Sequence, residues 1–126
     1  MDPDKLDRIL KHFWRTKRNN DIYFLGRCAD VSHAIQKFLG GKGQIYTVGG
    51  DNKSIAWHTV LKVGDYYFDI RGKQDINQVL RHNPIALNTS AIKPAGPNEI
   101  AHIEKLLNHQ FVQDTIEGLK QAEKEV

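Results

Sequence analysis

Cys28 is the single cysteine of the chain, and with His58 and Asp69 it makes up a set of residue types able to carry out nucleophilic acyl chemistry. A thiol attacks a carbonyl carbon as its thiolate, so a catalytic cysteine needs surroundings that lower its pKa from about 8.5. At the first turn of a helix Cys28 would sit in the positive end of the helix dipole, and an imidazolium beside it would stabilise the anion further. His58 can supply that imidazole as general base. Asp69 can hold one ring nitrogen, fix the tautomer and leave the other nitrogen to take the thiol proton, as in a catalytic triad. The Cys28 backbone N–H, donated from the helix N-terminus, and a side chain just upstream would then form an oxyanion hole. Each residue alone has a plainer reading. A free cysteine is often a small buried hydrophobe, a histidine in a strand is more often structural than basic, and Arg71 could engage Asp69 in a cross-strand ion pair. Asp69 is the hardest of the three to dismiss, because a carboxylate within a β-run is disfavoured and asks for a partner.

The hydrophobic spacing predicts the elements that must position these groups. Residues 54–70 contain two β-rich runs around Gly64-Asp65, a pair suited to a two-residue type II′ turn. With Val63 opposite Tyr66, His58 faces Arg71 and Val60 faces Asp69. His58 and Asp69 then become diagonal neighbours on one face, with Cα atoms roughly 7–8 Å apart. That face carries His58, Val60, Lys62, Tyr67, Asp69 and Arg71. The other carries Thr59, Leu61, Val63, Tyr66, Phe68 and Ile70 and is expected to meet the core.

Gly26 opens a turn before a helix that begins near Cys28 and stops at Gly40-Gly41. Cys28, Val31, Ile35, Phe38 and Leu39 fall on one side of that helix, and Asp30, Gln36 and Lys37 on the other. Upstream, Asp2-Pro3 signals a first helix whose stripe is Leu6, Ile9, Leu10, Phe13 and Trp14. Its basic continuation, including Lys17 and Arg18, reads as solvated surface rather than an RNA track. Residues 44–48 read as a strand and 49–52 as a turn. Asp75 caps a short helix with Ile76, Val79 and Leu80, ended by Asn83-Pro84. Residues 85–98 are expected to be largely irregular. Pro97-Asn98 starts a C-terminal helical region, as one helix or two, with Ile100, Ile103, Leu106, Leu107, Phe111, Val112, Ile116 and Leu119.

The length of 126 residues fits one domain, and 40% hydrophobic with 26% charged residues is an ordinary globular composition. The formal charge of +3 would attract polyanions only weakly. One cysteine excludes an internal disulfide and a CxxC metal or redox site, which suits a reducing compartment. No apolar run approaches the roughly 18 residues of a spanning helix, so no membrane partner is expected. The expected location is cytoplasmic, either as a resident protein or as a fragment delivered into a target cell. His12, His33, His82, His102 and His109 show no ligand spacing such as HExxH, so no metal site is expected.

Three segments together resemble the papain-like and transglutaminase-like superfamily: Gly26-Arg27-Cys28-Ala29-Asp30-Val31 opening a helix, Trp57-His58-Thr59-Val60 in a strand, and Tyr67-Phe68-Asp69-Ile70-Arg71-Gly72 in the next. The likeness spans about residues 20–82. It implies an α+β, papain-like fold with the nucleophile helix packed on a small antiparallel sheet. It divides one 1–126 domain into an N-terminal helix (1–20), a catalytic core (21–82) and a C-terminal helical region (98–126). It makes Cys28 the nucleophile, His58 the base and Asp69 the orienting acid, with no cofactor. The family's upstream oxyanion glutamine is absent here. Asn20 is the nearest amide that could replace it, and Trp57 is the accompanying candidate for substrate binding. Members include peptidases, glutamine deamidases, acyltransferases and toxin or effector domains. The small size favours a deamidase or effector acting on a protein or peptide, as a monomer or with a partner protein. The alternatives left open are a non-enzymatic protein- or RNA-binding module and a toxin nuclease using the same histidine, with nucleic acid the less favoured partner.

Overall fold

A computed structural model describes residues 1–18, 20, 22–25, 27–49, 56–83 and 88–126; the side chains of residues 24, 25, 56 and 57 are outside that description. The expected turns at Gly26 and 50–52, and Pro84, also lie outside it. Helix α1 (Pro3–Thr16) begins where the Asp2 side chain accepts the Asp4 N–H (3.0 Å), an N-cap followed by proline at the first helical position. A four-residue helix α2 (Ile22–Leu25) precedes α3 (Cys28–Phe38). Then come strands β1 (Gln44–Gly49), β2 (Ala56–Val63), β3 (Tyr66–Asp69) and β4 (Gly72–Gln74), helix α4 (Ile76–His82), strand β5 (Ile92–Pro94), and helices α5 (Pro97–Leu106) and α6 (His109–Glu125). The five strands form one antiparallel sheet in the order β4-β3-β2-β1-β5, so the fold is α+β. Among the described residues no helix is long and apolar enough to cross a membrane.

The hairpin register is the expected one: Val63 pairs with Tyr66, Lys62 with Tyr67 and Leu61 with Phe68. Gly64 has φ +61° while Asp65 is not in the left-handed region, which is the type II′ pattern. Beyond Phe68 the expectation fails. Ile70 and Arg71 form a tight turn into β4, with Asp69 paired to Gly72, so Arg71 does not face His58 across the hairpin. The reason is Gly72, whose φ of +106° lets the chain reverse there.

Both faces of the sheet are covered. Val31 and Ile35 of α3, the α1 stripe Leu6, Ile9, Leu10 and Phe13, and Leu119 of α6 pack with Ile45, Leu61, Phe68 and Ile70 on one face. Val48, Val60, Tyr67 and Ile92 form a second cluster on the other face with Val79 of α4. The expected polar face is therefore interior, and α4 is what buries it. Asp30 is a second correction. Grouped by its spacing with Gln36 and Lys37 on the side of α3 away from the apolar stripe, it is buried, because α6 covers it there: Asp30 Oδ1 accepts the Asn108 N–H (3.0 Å) and Oδ2 accepts from Arg27 (3.3 Å). Residues 92–94, expected to be irregular, add the edge strand β5 by pairing with Tyr46, Thr47 and Val48. The C-terminal region is two helices, with Asn108 capping the second by accepting the Phe111 N–H (3.0 Å).

Gly118→Ala shows which force governs α6. Helix propensity favours alanine by about 1 kcal/mol, yet a Cβ there would collide with the buried Phe13 ring. The expected result in urea unfolding is a loss of about 1–3 kcal/mol, the usual cost of overpacking; a gain in stability would show that the ring gives way freely.

Candidate active site

Three elements converge on one point. Cys28 is the first residue of α3, an 11-residue helix, so its sulfur lies at the end where backbone N–H groups are unpaired and the dipole is positive. His58 stands near the start of β2 and Asp69 at the end of β3, with 4% and 2% of their surface exposed. The β2–β3 ladder stops at Leu61 and Phe68, which leaves residues 58–60 of β2 without strand partners on that side. The N-terminus of α3 reaches this edge. There His58 and Thr59 lie beside Cys28 and favour its anionic form.

His58 Nε2 lies 3.0 Å from Asp69 Oδ2. With Nε2 on the carboxylate, Nδ1 is the nitrogen left for the thiol, an assignment that follows from the partners. Asp69 is saturated. Oδ1 accepts the Arg71 N–H (2.8 Å), a turn closed by its own side chain, and Oδ2 accepts from Arg71 Nη2 (2.6 Å) as well as from His58. Arg71 Nε lies within 3.3 Å of both oxygens. The ion pair that could have removed Asp69 from His58 is therefore present alongside the His58 bond. Arg71 approaches from the turn that follows Asp69, not from across the hairpin, and so leaves the histidine side open.

The titration of the three groups follows from this packing. Burial alone would raise the Asp69 pKa, but hydrogen bonds from His58 and Arg71 and their charges hold its carboxyl well below the usual range. Burial would likewise neutralise His58; the Asp69 bond and the adjacent sulfur overcome it and push the imidazole up to about 9. At Cys28 burial favours the thiol, and the bonds from His58 and Thr59 outweigh it, so the thiol pKa falls below its ordinary value. Both shifts act in the direction of a thiolate–imidazolium pair.

Of the remaining expected residues, Asn20 is exposed and its Oδ1 accepts the Ile22 N–H (3.2 Å) at the head of α2; among the described residues no bond ties it to Cys28, His58 or Asp69. Trp57 adjoins His58 on β2, but its side chain is outside the described residues. Sequence reasoning missed Thr59, assigned only to the core face, and missed that Arg71 secures Asp69. The Asp-x-Arg-Gly spelling of residues 69–72 carried a signal for the second point, since an aspartate followed by a tight turn commonly bonds the N–H two residues on. Also missed was His82, whose Nδ1 meets the buried Gln74 Oε1 at 2.8 Å. Burial and Arg71 lower the His82 pKa, with smaller influences from Asp69 and His58, which places it beside the site. Among the described residues no cluster of His, Cys, Asp or Glu is arranged to hold a metal ion.

Asp69→Asn leaves the Arg71 and His58 cations without their counter-charge, and a loss of about 3–5 kcal/mol is expected at pH near 7, the usual cost of breaking a buried pair. Because the folded pKa of Asp69 is depressed, its contribution is complete above the unfolded value of 3.8 and is lost as pH falls below it. Urea unfolding should therefore show the two proteins furthest apart near neutrality and converging in acid. A gap that stays constant down to pH of about 2.5 would contradict the assignment.

No protein-family model matches the chain, and neither a curated protein nor a solved structure matches it significantly.

Proposed function

We propose that the protein is a papain-like thiol hydrolase or acyltransferase that cleaves a carboxamide or peptide bond through a thioester on Cys28. The observation that carries this reading is the buried chain from Asp69 through His58 Nε2 (3.0 Å) to the Cys28 thiol at a helix N-terminus. A structural cysteine needs no imidazole, and an imidazole raised to about 9 needs a reason for its two anionic neighbours.

The reaction follows from the resting ion pair. The Cys28 thiolate attacks the carbonyl carbon, and its electron pair forms the C–S bond while the carbonyl oxygen takes the negative charge. The Cys28 N–H, at the first position of α3 and without a partner among the described residues, is a donor suited to that oxygen. The intermediate collapses as the C–N bond breaks, and His58 gives its Nδ1 proton to the leaving amine or ammonia. The now neutral His58 takes a proton from water, or from an acceptor amine, which attacks the thioester. Breaking the C–S bond returns the thiolate, and His58 is again the imidazolium. Asp69 keeps its charge throughout and holds the ring in place. A glutamine side chain of a partner protein is the preferred substrate, since deamidation needs access to one exposed carboxamide rather than an extended peptide cleft.

Intact-mass analysis of candidate protein substrates tests this directly. Conversion of amide to acid adds about one dalton and requires the nucleophile, so Cys28→Ala should abolish the change while keeping the wild-type fold. Activity should rise with pH as Cys28 ionises and fall again near pH 9, where His58 loses the proton it gives to the leaving group. Full activity in Cys28→Ala would end the proposal. Backbone fragments in place of the one-dalton change would identify a peptidase.

A further inference from the structure

Two hydroxyls are buried where α3 crosses β2. Ser32 on α3 and Thr59 on β2 are exposed by 1% and 4%, and the residues near them along the two elements, Val31, Ile35 and Leu61, belong to the main core. Ser32 Oγ donates to the Cys28 carbonyl oxygen one turn earlier (3.0 Å) and lies 3.2 Å from Thr59 Oγ1. A hydroxyl carries one hydrogen, and a carbonyl oxygen can only accept. The Ser32 hydrogen is thus committed to Cys28, which makes Thr59 the donor to Ser32. The result is one directed chain, from the Thr59 hydroxyl through Ser32 to the backbone of Cys28.

The chain joins residues that adjoin the two reacting groups. Thr59 follows His58 on β2, and Cys28 opens α3. Successive strand residues point to opposite faces, so Thr59 meets α3 while His58 shares the other face with Val60. A sulfur on α3 reaches the His58 ring past the stretch of β2 that β3 leaves unpaired. The height of Cys28 along β2 then decides whether sulfur and ring meet, since one strand residue is a step of about 3.3 Å. Apolar contact is non-directional and sets that height loosely, whereas hydrogen bonds have a narrow range of length and set it sharply. We propose that Ser32 and Thr59 are positioning residues: their hydroxyl chain fixes Cys28 along β2 at the height where its sulfur meets the His58 ring. Neither hydroxyl has to touch the substrate. The proposal rests on Cys28 acting as a thiolate beside His58.

Such a chain is dispensable for stability. Replacing both partners of a buried hydrogen bond by apolar groups of the same shape is close to neutral, whereas removing the acceptor alone leaves a donor unsatisfied. Thr59→Val and Ser32→Ala made together nearly keep the volume and leave no hydroxyl behind. The Cys28 carbonyl retains its helical bond from the Ser32 N–H. Fold and reactivity should therefore separate in the double variant.

Iodoacetamide alkylation of the whole chain, followed by intact mass, reads the sulfur because Cys28 is the single cysteine, and urea unfolding reads the fold. At about pH 6 the wild type is expected to react faster than a free thiol. The double variant should unfold at the wild-type urea concentration yet be alkylated roughly tenfold more slowly, since a displacement of about 1 Å can cost about a hundredfold. Thr59→Ser keeps the hydroxyl and should react at the wild-type rate. A double variant that reacts at the wild-type rate overturns the positioning role and leaves the thiolate reading intact. One that unfolds earlier in urea, or does not fold, shows that the hydroxyls hold the fold and also overturns it. Slow reaction in Thr59→Ser traces the effect to the methyl group and does the same. A wild type no more reactive than a free thiol overturns the thiolate reading and this inference together.

Discussion

The structure depends on keeping one carboxylate ionised in the interior. Asp69 has 2% of its surface exposed, and an ion so placed loses several kcal/mol of hydration that only well-formed bonds can offset. Two positive side chains and a backbone N–H share the task. The His58 ring arrives through the hairpin register, and the Arg71 guanidinium and N–H through the turn at 70–71. That turn is itself braced from α1, where Asp7 Oδ1 accepts the Lys73 N–H (2.7 Å) and occupies the space into which a Cβ on Gly72 would project. The first helix, remote from Asp69 in sequence, thus braces the turn that secures that carboxylate.

The charge pattern built on Asp69 has a consequence for how the site responds to pH. His58 is raised from 6.5, so its contribution to stability is complete below that value and is lost as pH climbs toward about 9. Cys28 is lowered from 9.0, so its contribution is complete above that value and is lost as pH falls. Where these ranges overlap the slopes cancel. Folded as a thiolate–imidazolium pair, the two groups would hold one proton, on the imidazole, and the unfolded pair also holds one, on the thiol. The ion pair therefore leaves little trace in stability across neutral pH and shows itself in reactivity instead.

How much of this was legible in the sequence follows from the range of each signal. Gly64-Asp65 specified the hairpin register locally, and the register was sufficient to place His58 beside Asp69. Asp2-Pro3 and the apolar stripe of α1 were local in the same way. What escaped depends on elements distant in sequence. Nothing in α3 reveals that α6 covers Asp30, and nothing in the hairpin reveals that α4 covers Val60 and Tyr67. Strand β5 is three residues long and exists by pairing with β1, so its own composition carries little signal. A hairpin continued two residues beyond Asp69 would make Arg71 a cross-strand rival for that carboxylate. The chain turns at Ile70, and a cross-strand competitor becomes a clamp from behind.

Whether His58 is an imidazolium held between two anions is read from the proton resonances of its ring measured against pH. His58 is expected to titrate near pH 9 in the wild type, with the midpoint displaced downward in Cys28→Ala and further in Asp69→Asn. A His58 that titrates near its ordinary value of 6.5 in all three proteins would contradict it.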